Sequence, residues 1–254
     1  MKESKRGFTL VEVAIFLGIT GLLFLGVTAG VQASIYQQRR NDSIENFIEF
    51  LRGVYSGVEN VQNDPIRGNS EKAVYGKLVT FGETVDLAGN TLSSGNQNRI
   101  YVYTVVGNVV DTSLSSGGTL SSLNNLAVNV VDNGNLAKYA YEYIPKWGAV
   151  IEPACTGSTC DFERFKGALL IVRNPSSGAV QTFYTTAAIS VNKTTGLAAG
   201  WIKDFQMQDA DFCVNPTGDA GNRDLTDIRI VAGASNASGI ERISDDQSRC
   251  RAHS

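Results

Sequence analysis

Between Phe8 and Val31 the sequence reads FTLVEVAIFLGITGLLFLGVTAGV, 24 residues whose only charge is Glu12. As a helix rising about 1.5 Å per residue, this run is about 36 Å long and crosses a hydrocarbon core of about 30 Å. Ahead of it, Lys2, Lys5 and Arg6 stand against Glu3 in a short basic heptapeptide. That bias places the leading end on the cytoplasmic side, although Arg39 and Arg40 beyond the far end weaken the asymmetry. A secretory signal peptide has a shorter apolar stretch, about 7–15 residues, ending at a small-residue cleavage site. No clear A-x-A boundary is present here. A buried soluble helix fits poorly with all-round apolarity behind a basic leader.

Glu12 is the position that needs a reason. A carboxylate in an apolar span costs about 2.5–3.5 kcal/mol on insertion scales and marks a functional site. No cation lies in the same span. The expected partner is a positive charge on another chain, or an amine created by cleavage.

After Ser34 the pattern turns amphipathic. Ile44, Phe47, Ile48, Leu51, Val54, Tyr55, Val58 and Val61 recur at spacings of three and four, one apolar stripe. Asn63-Asp64-Pro65 is expected to end the helix. Packing on a sheet is preferred over a coiled coil, because the stripe is short and strand-like sequence follows. Strands are predicted at 73–81, 99–106, 126–131, 137–144, 167–173, 179–189 and 227–231, from alternation and β-branched content. Asn174-Pro175-Ser176-Ser177-Gly178 reads as a hairpin turn, and the Gly/Ser/Asn-rich stretches 93–98, 113–122 and 233–239 as exposed loops.

Lys5-Arg6-Gly7-Phe8-Thr9-Leu10-Val11-Glu12 resembles the prepilin motif of type IV pilins and of the related pseudopilins of type II secretion. The short basic leader, a Gly before the cut, a Phe after it, a Glu four residues beyond and a following apolar helix all match. The likeness is close over about the first 35 residues and covers only the general layout thereafter. It implies cleavage between Gly7 and Phe8 by a prepilin peptidase and N-methylation of the Phe8 amine. It also implies that Glu12 neutralises the Phe8 amine of a neighbouring subunit during assembly, since each lone charge in hydrocarbon is costly until paired. Many pilins kink this helix with Pro. The span here has none, but carries Gly18, Gly21, Gly26 and Gly30, the last two in GxxxG spacing.

The resemblance implies an α+β fold of pilin type: a long N-terminal helix packed on an antiparallel β-sheet domain with a disulfide-bounded C-terminal region. The divisions are a leader at 1–7, a membrane or filament-core half-helix at 8–33, an amphipathic half at 34–64 and a globular domain at 65–254 with a C-terminal loop region at 213–250. Four cysteines allow three pairings. Cys155–Cys160 with Cys213–Cys250 is preferred, the second because it resembles the C-terminal disulfide of many pilins. A four-cysteine zinc site is the competitor, but C-x4-C and C-x36-C lack the paired short spacings of zinc motifs.

Other signals are weaker. Asp209, Asp211, Asp219, Asp224 and Asp227 are oxygen ligands in principle, but no D-x-D-x-D-G loop is present and solvated loop acids are the plainer reading. Trp147 and Trp201 are read as core or interface residues rather than a sugar-binding face. A lone His, His253, argues against multi-His metal sites and most His catalysis. No nucleophile elbow, P-loop or dinucleotide fingerprint occurs in context.

The expectation is a non-enzymatic filament subunit without cofactor, a minor or adhesive pilin serving adhesion, twitching motility or DNA uptake. Its partners are a prepilin peptidase, other pilin subunits, a membrane assembly platform with its ATPase, and lipid before extraction. Its place is the inner membrane, N-terminus cytoplasmic, and then a surface filament. Removing residues 1–7 moves the net charge from −3 to −5, so direct nucleic-acid binding is not expected. The alternatives are a secretion or competence pseudopilin, a signal-anchored surface binding domain that never polymerises, and a membrane-tethered enzyme.

Overall fold

The computed structural model describes residues 9–60, 72–87, 90–92, 98–108, 127–128, 140–154, 165–173, 178–189, 191, 197, 201–218, 225–243 and 249–250. The chain divides into two compact units, Met1–Asp42 and Ser43–Ser254. One helix, α1, runs Leu10–Glu59.

In the first unit α1 presents its apolar side chains outward, with Leu22 73% and Phe24 69% exposed. Two of its threonines bond back into the helix: Thr20 Oγ1 donates to Phe16 O at 2.7 Å and Thr28 Oγ1 to Phe24 O at 3.0 Å. Such back-bonding keeps hydroxyls compatible with hydrocarbon. Among the described residues α1 is the one helix long and apolar enough to cross a membrane, a property that membrane anchors and signal sequences share.

In the second unit the stripe behaves as its spacing predicts. Ile44, Phe47, Ile48, Leu51, Val54, Tyr55 and Val58 are buried, as is Ser43. Val61 lies outside the described residues. The last turn of α1 contains no basic residue of its own. Arg173 supplies one, Nη1 donating to Glu59 O at 2.9 Å, where a cation also complements the helix dipole.

Among the described residues ten strands follow: β1 Lys72–Phe81, β2 Ile100–Asn108, β3 Ala127–Val128, β4 Ala140–Tyr143, β5 Val150–Pro153, β6 Gly167–Arg173, β7 Val180–Thr185, β8 Ala210–Asn215, β9 Thr226–Ile230 and β10 Ile240–Ile243. They form a six-stranded sheet in the order β3-β2-β1-β6-β7, with β4 also on β2, and a four-stranded sheet in the order β10-β9-β8-β5. Every pairing between these strands is antiparallel. The molecule is therefore α+β. The first sheet contains all but one of the predicted strands. The second was largely missed, with only β9 foreseen.

The first sheet is buried on both faces. Val79, Phe81, Val102, Leu169 and Ile171 share one core with α1 and with Phe212, Val214, Ile228 and Ile230 of the second sheet. Leu78, Tyr101, Tyr103, Leu170 and Phe183 form another under the short 3-10 turn Trp201–Asp204 and Phe205. Double burial explains why β6 reads as a continuous apolar run rather than an alternation. Gly76 sits where β1 shifts register, and a Cβ there would strike Ile171 O of β6.

Polar side chains tie the layers together. Thr182 of β7 donates its only hydroxyl proton to Ala234 O at 2.6 Å, so Tyr55 of α1 must donate to Thr182 Oγ1 at 2.8 Å. Asn98, just before β2, donates to Ala149 O and accepts from Ile151 N at 3.4 Å, linking the first sheet to β5.

Candidate functional site

Gly7 and Phe8, the expected processing residues, lie outside the described residues, as do Cys155, Cys160, Asp219, Asp224 and His253. Thr9, the residue before α1, is the first described residue of the motif.

Glu12 has neutral hydrogen-bond donors in its own span, which supply no compensating charge. Thr9 N and Thr9 Oγ1 both donate to Glu12 Oε2 at 2.9 Å, and Glu12 N donates back to Thr9 Oγ1 at 3.3 Å. This is a capping box, in which an N-cap Thr and a Glu three residues later satisfy each other's orphan backbone donors. The T-x-x-E spacing of Thr9 and Glu12 is its sequence signal. The four glycines of the span face open space: a Cβ at Gly18, Gly21, Gly26 or Gly30 meets nothing within 4 Å.

The second chemical locus is the cysteine pair. Cys213 and Cys250 form a disulfide with Cα atoms 5.4 Å apart, as preferred from the resemblance. Both are buried, with Leu225 beside them. Alternation along β8 sends Ala210, Phe212 and Val214 to the core shared with α1, and Asp211, Cys213 and Asn215 to the opposite face.

That outer face corrects the reading of Asp211 and Asp227 as solvated loop acids. Both lie in strands, 6% and 1% exposed. Arg229 Nε donates to Asp211 Oδ1 at 2.6 Å, and this bond leads the effects that hold the guanidinium above its ordinary pKa. Arg249 Nη1 donates to Asp211 Oδ2 at 2.8 Å, and its backbone N to Asp227 Oδ2 at 2.8 Å. Asn215 Nδ2 donates to the fully buried Glu152 at 2.7 Å. Asp209, half-buried just before β8, accepts from Ala232 N at 2.8 Å and places Oδ2 4.0 Å from Arg229 Nε. Arg229, Arg249, Glu152 and Asn215 were not foreseen. The alternation in Ala210–Asn215 was the available signal.

A third polar cluster lies under the first sheet's outer face. Thr80 Oγ1 and Tyr103 OH both donate to the buried Glu83 Oε1, the latter at 2.8 Å. Burial first, and Glu83 second, push the Tyr103 hydroxyl pKa far up. Such a phenol stays neutral and serves as a donor. Lys77, beside Gly57 of α1, donates to Thr104 Oγ1 at 2.9 Å, and burial lowers its pKa.

The two tryptophans separate. Trp201 is buried against Phe205, ring centroids 5.5 Å apart. Trp147 is 53% exposed with φ +61° in the turn between β4 and β5. They do not make a common face. Among the described residues no group of three or more His, Cys, Asp or Glu side chains is arranged to hold a metal ion.

The chain matches no protein-family model, no curated protein and no solved structure.

Proposed function

We propose that the chain is a membrane-inserted subunit of a type IV pilin-like filament, cut after Gly7, methylated at Phe8 and assembled through its N-terminal helix. One observation carries this reading. A single helix, Leu10–Glu59, begins with an exposed apolar half and ends with a stripe buried against antiparallel sheets. The apolar half needs lipid or copies of itself, and a subunit passing from membrane to filament core meets both needs in turn. The residues before it, Gly7-Phe8-Thr9-Leu10-Val11-Glu12, resemble a prepilin junction. The disulfide at Cys213–Cys250 accords with folding outside the cytoplasm. In this role the chain has no catalytic residue, and its partners are the peptidase, sister subunits and the assembly machinery.

The Thr9–Glu12 capping box favours a second reading, a membrane anchor that never polymerises, because Glu12 needs no second chain to satisfy the helix terminus. Mass spectrometry of the mature N-terminus tests the first reading. A chain beginning at methylated Phe8 supports it; intact Met1, or a cut within 29–34, overturns it. Glu12→Gln separates the two. Glutamine preserves a capping box but removes the charge. The filament reading expects the variant to be processed and then excluded from filaments, whereas the anchor reading expects wild-type behaviour.

A further inference from the structure

The outer face of the second sheet surrounds Cys213 with carboxylates. Register sets Cys213 opposite Asp227 on β9 and opposite Glu152 on β5, while Asp211, two residues earlier, stands opposite Arg229. Glu152, Asp211 and Asp227 are all buried. Onto this face comes Arg249, the residue immediately before Cys250. Its guanidinium takes Asp211 Oδ2 and its backbone N–H takes Asp227 Oδ2, each at 2.8 Å. Asp211 thus gives one oxygen to Arg229 and the other to Arg249. The two acids that bracket Cys213 along and across the sheet hold the neighbour of Cys250 from two directions.

We infer that Asp211, Asp227 and Arg249 form a clasp that seats Cys250 over Cys213 and is thermodynamically coupled to disulfide closure, making C-terminal attachment electrostatic as well as covalent. Cys213 and Cys250 are separated by 37 positions, and bringing such ends together costs chain entropy that an oxidant alone does not offset. Charge-assisted hydrogen bonds to buried carboxylates are the strong kind, and they act on the reduced chain as well as the oxidised one. With glutathione disulfide as oxidant, one cysteine thiolate attacks a glutathione sulfur and releases one glutathione thiolate. The second cysteine then attacks the mixed disulfide and releases another. The pair loses two electrons and two protons, and glutathione disulfide becomes two thiols. The clasp favours the second, intramolecular attack by holding the two sulfurs near each other. By linkage, whatever the clasp contributes to closure, closure contributes equally to the clasp. An arginine whose contacts are equally strong in the open and closed chain leaves the closure equilibrium untouched.

The test equilibrates the full chain, in mild detergent, with glutathione buffers of graded redox ratio. The oxidised fraction of the Cys213–Cys250 pair is read by differential alkylation and peptide mass spectrometry, which follows this pair separately from Cys155 and Cys160. Arg249→Ala is expected to lower the closure equilibrium constant threefold or more, with Asp211→Asn moving it the same way. Arg242→Ala, an exposed arginine on β10 outside the clasp, is expected to stay within threefold of wild type. A closure constant for Arg249→Ala within threefold of wild type overturns the clasp. If far-ultraviolet circular dichroism shows Arg249→Ala to be misfolded, Arg249→Gln, which keeps most of the side chain's length, decides by the same threshold.

Discussion

Phe212 of β8 is the side chain on which the second unit's layers converge. It is fully buried. Its ring lies 5.8 Å from Phe47 of α1, 5.1 Å from Phe81 of β1, 5.2 Å from Phe165 and 6.2 Å from Tyr184 of β7. Three of those four contacts are edge-on, at interplanar angles of 71°, 66° and 73°, the arrangement the ring quadrupole favours. Truncating a buried Phe to Ala costs about 3–5 kcal/mol through lost transfer energy and residual cavity. A site walled by a helix and two sheets cannot collapse easily, so Phe212→Ala belongs at about 4–5 kcal/mol. Phe212→Leu keeps much of the apolar volume and loses the ring pairs, each worth about 0.5–1.5 kcal/mol and not additive; it belongs at about 2 kcal/mol. Phe50, half-buried and stacked on Tyr143 at 4.1 Å on the rim, is the control, with about 1 kcal/mol for Phe50→Ala. Urea titration of the full chain in mild detergent, followed by tyrosine and tryptophan fluorescence, gives the three values by linear extrapolation. A cost below 2 kcal/mol for Phe212→Ala, or equal costs at positions 212 and 50, refutes the convergence of the layers on this ring.

Burial raises the pKa of the Tyr55 hydroxyl from its ordinary 10.0 to about 12. The unfolded chain therefore loses that proton first, so the contribution is complete below pH 10 and lost as pH rises towards 12, with a slope of about 1.4 kcal/mol per pH unit for this group. Urea midpoints measured between pH 8 and 11.5 should fall less steeply in Tyr55→Phe than in wild type; identical slopes would sink the assignment. Gly218, at φ +64°, packs so that a Cβ would strike Gly148 O. Gly218→Ala should cost more than about 2 kcal/mol by combining left-handed strain with that clash, whereas Gly53→Ala, in open helix surface, should stabilise by up to about 1 kcal/mol. Thermal unfolding of the two variants, read side by side, checks the opposite signs.

Legibility followed how local the cause was. The stripe from Ile44 to Val58 and strand β6 were readable because burial imposes a pattern on consecutive residues. Strand β8 alternates as clearly, but its outward residues are Asp211, Cys213 and Asn215, with another acid, Asp209, just ahead of it. Polar outward residues usually mean water. Here they meet Arg229 from the adjacent strand and Arg249 from 38 positions away, and no window of consecutive residues contains that fact. Strand β5 was hidden for a related reason: Glu152 and Pro153 are poor strand formers, and what holds them, Asn215 and the β8 ladder, is distant in sequence. The fold class and the covalent pair Cys213–Cys250 were within reach of the sequence. The polar face that surrounds the pair was not.

Glu12 has two demands on it, and the geometry shows how they can coexist. Both bonds it accepts from Thr9 fall on Oε2. The box uses the Thr9 amide rather than the Phe8 amine, so cleavage after Gly7 removes none of its members. A capped Glu12 therefore keeps Oε1 for a second donor, and the cap fixes the rotamer in which that oxygen is held. Pairing with an incoming amine then needs no breakage of the cap, and little side-chain entropy is lost when the partner arrives. A charged carboxylate in hydrocarbon still gains from a cation after its cap is made, because capping by neutral donors leaves the net charge in place. On this reasoning the capping box and the proposed inter-subunit pair are successive uses of one side chain. Glu12→Gln isolates the second use because it leaves the first intact.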